Sequence, residues 1–201
     1  MTQTGVVYSR IIDDKTYTFG VSGLLHKSNL LLYDRQTDTL WSQLMEKAIA
    51  GPLVGKSLMK IPSTETKWKD WKKKHPETEV MSTETGYERN YFVDPYEGYL
   101  RIGSLMFPVG KVRRDLPTKQ RVLGIEVDGI AKAYSLEDVQ KHSGILSDTI
   151  GDKSIEIVIS QDGQVTDIRD VQGNQITGIY SYWFAWQAFH PETLVYEPQK
   201  E

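Results

Sequence analysis

Apolar and polar residues alternate in short runs along most of the chain, and clusters of turn-forming residues separate the runs. Alternation with a period of two is the mark of half-buried strands, because successive strand side chains point to opposite faces. "GVVYSRIIDDKTYTFGV" predicts a hairpin that turns at Asp13, Asp14 and Lys15. "NLLLYDRQTDTLWSQ" predicts a second hairpin, with the polar tip "DRQTDT" between apolar arms. In "VLGIEVDGIAKAYSL" the hairpin signal is strongest, since Asp128-Gly129 suits the two left-handed positions of a type I′ turn. The alternation resumes over 150–176, with "DKS", "QDGQ" and "VQGN" as expected turns.

Three stretches suit helices instead, at about 66–74, 135–141 and 181–189. Ser135 is a natural N-cap, and Glu137 and Asp138 would sit in the positive first turn behind it. Strands outnumber helices and do not alternate with them regularly. The expected fold class is therefore α+β, mostly antiparallel sheet with a few short peripheral helices. A single domain over 1–201 is expected. Its best internal boundary is 110–120, where "GKVRRDLPTKQR" is polar, basic and broken by Pro117.

One phrase occurs twice. "WKDWKKKHPETEV" starts at Trp68 and "WFAWQAFHPETLV" at Trp183, and both read Trp-x-x-Trp-x-x-x-His-Pro-Glu-Thr-x-Val. Tryptophans three apart share one helix face, and the His four residues later falls on nearly the same face. Pro76 and Pro191 disfavour helix at the preceding His and stop each helix there. The plainer reading is a helix whose two indoles plug a core, with the chain similar to itself over Trp68–Val80 and Trp183–Val195. The functional reading is a pair of aromatic platforms with a His at the rim. Lysines surround the first copy, while Phe184, Ala185, Ala188 and Phe189 make the second apolar nearly all round.

Composition narrows the function classes. The net charge of −3 implies no general attraction to nucleic acid or anionic membrane, so neither is expected as a partner. Interleaved lysine and tryptophan in "KWKDWKKKH" could suit a single strand of nucleic acid, but a solvated helix face explains it as well. With no cysteine, the chain can form no disulfide, thiolate metal site or Cys nucleophile. No apolar run is long enough to span a bilayer, and the N-terminus lacks a signal-peptide pattern, so this chain is expected to stay where it is made. No metal or cofactor is expected: His26, His75, His142 and His190 show no ligand spacing, and "GPLVGKSL" is one residue short of a phosphate loop.

The densest polar series runs from Ser22 to Gln43. His26 could act as a base oriented by Asp34, with Ser22 of "GVSG" as a nucleophile, although that turn lacks the Gly-x-Ser-x-Gly elbow. Asn29, Arg35, Trp41 and Gln43 are the ligand-binding candidates, with Trp41 and Gln43 expected opposite the Ser22–Asp34 stretch across the hairpin. Arg35 is expected to pair with Asp34 or Asp38. The tyrosines around Asp94-Pro95 could grip a polar ring or cover a sheet edge.

"FGVSGLLHKSNLLLYDRQTDTLWSQ", "AIAGPLVGKSL", "TKWKDWKKKHPETEV", "GYERNYFVDPYEGY" and "RVLGIEVDGIAKAYSL" together resemble the DUF3179 family of bacterial and archaeal proteins of unknown function. The resemblance runs from about Thr2 to the second Trp phrase. It implies a mostly β domain, common in exported or membrane-anchored proteins, and names no activity. Members usually carry an earlier segment like 121–135, followed by a strand reaching a Cys-Pro-Leu element. Here Met1 stands where that element would end, as in a shortened member or a fragment. A segment like "GPLVGKSL" is also missing before the second Trp phrase. Three function classes follow. The favoured one is a non-catalytic binding or interaction domain whose aromatic surface engages a polymer, a small ligand or a partner protein. The alternatives are a hydrolase-like enzyme using His26 and Asp34 in a polar cleft, and a structural accessory module of a larger exported protein.

Overall fold

The computed structural model describes residues 1–198. Its N-terminal part holds strands β1 (Val7–Tyr8), β2 (Ile11–Ile12), β3 (Lys15–Thr16), β4 (Phe19–His26), β5 (Asn29–Asp34), β6 (Leu40–Ser42), β7 (Lys47–Ala50) and β8 (Lys60–Ile61). Helices α1 (Trp68–Lys74) and α2 (Glu97–Arg101) follow. The rest holds β9 (Arg121–Val127), β10 (Ile130–Ser135), α3 (Leu136–Val139), β11 (Gly144–Ile150), β12 (Lys153–Ile159), β13 (Val165–Asp170), β14 (Gly178–Tyr182), α4 (Trp183–Phe189) and β15 (Leu194–Val195). The fold is α+β with short helices and mostly antiparallel pairing.

The strands pair as the meander β4-β5-β6-β7, the meander β11-β12-β13, a mixed sheet ordered β14-β9-β10-β15, and two short pairs, β1-β8 and β2-β3. Turn chemistry fixes the tight hairpins. Asp128 and Gly129 both take positive φ between β9 and β10, and Asp13 and Asp14 do so between β2 and β3. The first hairpin is shorter than its alternation suggests, because Val7 and Tyr8 leave it to pair with β8. Helix α3 covers only the start of its expected span, and α2 carried no clear sequence signal.

The mixed sheet organises the C-terminal part. Strand β14 is antiparallel to β9 and β9 to β10, while β15 is parallel to β10. So β14 and β15 run in the same direction on opposite edges, and α4 has to cross the sheet face between them. Strand β9 is buried on both sides. Leu123 and Ile125 enter one core with Ile155, Ile157 and Tyr134. Val122 enters a second core with Ala133, Trp183, Phe184 and Trp186. A third core, around Trp41, Ile12 and Tyr17, lies under the N-terminal meander. Leu44 joins the second core from the N-terminal side, as do Val109, Val112 and Leu116. In the 110–120 stretch, Arg113 donates to the carbonyls of Pro191 and Thr193 and lies over the Trp183 ring.

Candidate functional site

The polar series from Ser22 to Gln43 is dispersed along one meander. His26 is registered with Asn29 at one end of the β4–β5 pair, and Asp34 with Phe19 at the other. Five residue steps along β5 separate the two ends, about 17 Å, so the structure does not assemble a His26–Asp34 dyad. Asp34 is buried and occupied, accepting from Trp41 Nε1 (2.9 Å), the Thr37 amide (2.7 Å) and the Thr37 hydroxyl (2.9 Å). Burial works against its charge, but the bonds from Trp41 and Thr37 prevail and hold its pKa below the ordinary range. Ser22 donates to the Leu31 carbonyl (2.6 Å) and accepts from the Leu24 amide (3.1 Å), which ties down the β-bulge between Val21 and Leu25.

The ligand-binding candidates also have structural partners. Trp41 is fully buried in the third core. Arg35 donates to the Phe19 carbonyl and lies over Tyr33, rather than pairing with Asp34 or Asp38. Asn29 is buried and donates to Thr2, Thr4 and Gln43 side chains, while its Oδ1 has no partner. His26 packs edge-on against Phe189, beside Lys27, which donates to the Ala188 carbonyl (2.7 Å). These contacts dock the tip of the β4–β5 hairpin on the end of α4. A cleft of about 560 Å³ beside α1 and one of about 640 Å³ beside Arg121 are lined by no residue between Ser22 and Gln43.

The two Trp phrases behave differently. Their local structures coincide. The Trp71 indole donates to Thr78 Oγ1 (3.0 Å) and the Trp186 indole to Thr193 Oγ1 (2.9 Å). Each indole lies against its own His, with centroids 4.0 Å apart for Trp71–His75 and 3.9 Å for Trp186–His190. The His75 amide donates to the Trp71 carbonyl (2.8 Å) and the His190 amide to the Trp186 carbonyl (3.0 Å). Both histidines leave the helix with nearly the same backbone angles, φ −131° and ψ 70° against φ −122° and ψ 70°.

Their surroundings do not coincide. In α4 every residue but Phe189 is buried, and in α1 none is. Trp183 and Trp186 are 0% and 1% exposed, against 48% and 40% for Trp68 and Trp71. The second phrase is received by β9. A Cβ on Gly124 would stand 2.3 Å from the Trp186 ring, so only glycine lets the indole lie on the strand. Two residues on, on the same strand face, Glu126 Oε2 approaches His190 Nδ1 at 3.3 Å. Burial pushes the His190 pKa down, with Glu126 pulling partly the other way, and its Nε2 has no partner. Sequence reasoning missed Gly124 and Glu126, although a glycine inside a strand run was a readable sign of close approach.

Helix α1 is held at its start by Gln164, beside a Lys67–Asp162 ion pair (3.4 Å). Gln164 Oε1 accepts from the Thr66 hydroxyl (3.0 Å) and the Lys67 amide (3.2 Å), while its Nε2 donates to Asp70 (3.0 Å). Beside this clamp lies the 560 Å³ cleft, with Trp71, Lys73, Lys74 and His75 on one wall and Ser160, Asp162 and Thr166 on the other. Large apolar side chains stay exposed well past the helix, among them Val80, Met81, Tyr87, Phe92, Val93 and Met106. A separate polar cluster joins Lys132, Tyr134 and Asp148. Lys132 Nζ lies 2.6 Å from Asp148 Oδ2, and the Tyr134 hydroxyl donates to the same carboxylate at 2.7 Å. Burial first, then Asp148, pushes the Tyr134 pKa far up, which suits a fixed donor. Among the described residues no group of His, Cys, Asp and Glu is arranged to hold a metal ion, and no helix is long and apolar enough to cross a membrane.

The model for "Protein of unknown function (DUF3179)" matches residues 1–177. The chain belongs to this family. The DUF3179 match takes in the exposed Trp68 phrase and the β9–β10 hairpin, and it ends before Trp183. No curated protein and no solved structure matches the chain.

Proposed function

We propose that this DUF3179 chain is a non-catalytic binding or interaction domain, and that its recognition face is the exposed Trp68–Val80 phrase with the aromatic segment after it. One observation carries the reading: α4 buries its Trp pair completely, whereas α1 folds the same way and leaves its Trp pair 40–48% exposed, with no residue fully buried. Exposed apolar surface on this scale marks an interaction site, and indoles beside polar groups are typical anchors of such sites. The hydrolase reading loses support because His26 and Asp34 stand at opposite ends of a hairpin, each with other contacts.

The test follows the indole N–H resonances of the full chain by NMR while saccharides, nucleotides, acyl compounds and peptides are added in turn. The expected result is a saturable shift of the Trp68 and Trp71 signals, with Trp183 and Trp186 unmoved. Trp71→Ala should abolish that binding while leaving the melting temperature nearly unchanged. Ligands that move only signals elsewhere, or binding that survives Trp71→Ala, would overturn the assignment.

A further inference from the structure

The fully covered copy shows what the open copy is shaped to receive. Both phrases build the same unit from their own residues: helix, His-Pro stop, Trp–Thr hydrogen bond and Trp–His stack. In the second copy that unit meets the α4 side of β9 and β10. There Gly124 admits the indole, Glu126 reaches the imidazole, and the small residues Ala131 and Ala133 complete the seat. The first copy presents the same indole and imidazole in the same geometry without a covering strand. It is preorganised, so most of the ordering cost of receiving a partner is already met.

Resting on the function proposed above, we infer that α1 docks a β-hairpin of another polypeptide. The docked strand carries glycine opposite Trp71 and a carboxylate two residues later, facing His75. Charge favours the same occupant, since Lys69, Lys72, Lys73 and Lys74, with Lys67 beside them paired to Asp162, outnumber Asp70, Glu77 and Glu79 in the phrase. A strand with a side chain at the glycine position cannot seat, because its Cβ would fall where the ring lies. Specificity therefore comes from exclusion as well as attraction.

The probe is a backbone-cyclised hairpin peptide copying 121–135, with Leu123→Thr, Ile125→Thr and Tyr134→Thr on the face that would otherwise be greasy. It is titrated into the full chain while the indole and imidazole resonances are followed. Trp68, Trp71 and His75 should shift saturably, and Trp183 and Trp186 should stay in place. A Gly124→Val peptide should bind about tenfold or more weakly, and a Glu126→Gln peptide should lose the His75 shift. No shift at Trp68 and Trp71, or equal binding of the Gly124→Val peptide, overturns the hairpin inference. If the hairpin fails but a saccharide or nucleotide moves the same indoles, the binding-domain reading stands and only its partner class is wrong. If nothing moves them, both fall. Shifts that follow protein concentration with no peptide added would overturn the inference in favour of a second copy of this chain.

Discussion

Helices α1 and α4 carry the same seven-position pattern and the same stop, yet one forms part of a core and the other lies on the surface. The comparison separates what a phrase encodes locally from what it obtains from its neighbours. The helix stop, the indole–threonine bond and the ring stack are local, since they form with or without cover. Burial is not local. It depends on a strand elsewhere in the chain having a glycine at the right place. A repeated motif is thus a statement about shape, and only its surroundings decide whether the shape supports the fold or is available for binding.

The largest expected difference lies in the indoles. Trp186→Ala empties a fully buried site and should cost roughly 3–5 kcal/mol in chemical denaturation, whereas Trp71→Ala, partly exposed, should cost less than about 1 kcal/mol. Equal costs would abolish the distinction between the copies. Next, Gly124→Val forces a side chain against the Trp186 ring and should destabilise by about 1–3 kcal/mol, with altered Trp fluorescence. A neutral outcome there would mean that α4 can shift off β9. Third, Thr193→Val strands the buried Trp186 N–H and should cost about 1–3 kcal/mol. Thr78→Val, whose indole partner can turn to water, should be close to neutral in the same assay.

The smallest effect is a pH dependence. His190 binds its proton more weakly folded than unfolded, because burial opposes the charge. Between its lowered folded pKa and its ordinary value near 6.5, the unfolded chain therefore holds more protons, and stability rises with pH. The melting temperature should fall as pH drops below that ordinary value and level off once the folded pKa is passed. His190→Gln should remove this part of the profile. A profile unchanged in the variant would place the titration elsewhere.

Much of the fold could be read in the sequence because it rests on local signals. Asp128-Gly129 fixed a turn type, the alternation over 150–176 marked β12 and β13, and Pro76 and Pro191 ended two helices. Pairings over long sequence distances could not be read, such as Val7 with Ile61 or β15 beside β10. The candidate site fared worse for a related reason. Ser22, Asp34 and Asn29 belong to a dense polar series, but each is used by its own bulge, turn or hairpin seat. Such side chains look like catalytic groups in a sequence because turns and active sites draw on the same short polar residues. The exposed state of Trp68 and Trp71 was hidden as well, since nothing in "WKDWKKKHPETEV" says whether a strand lies over it.

With cores packed against both its faces and hydrogen-bonded strands along both its edges, β9 has no route to solvent except through disassembly of the sheet. Its backbone amides should accordingly exchange with deuterium only when the whole molecule unfolds, making Val122–Ile125 the slowest clock in the chain. Helix α1, with no buried residue, should lose its protons within local openings. The spread between those two rates would measure directly how much of the global stability each copy of the phrase shares.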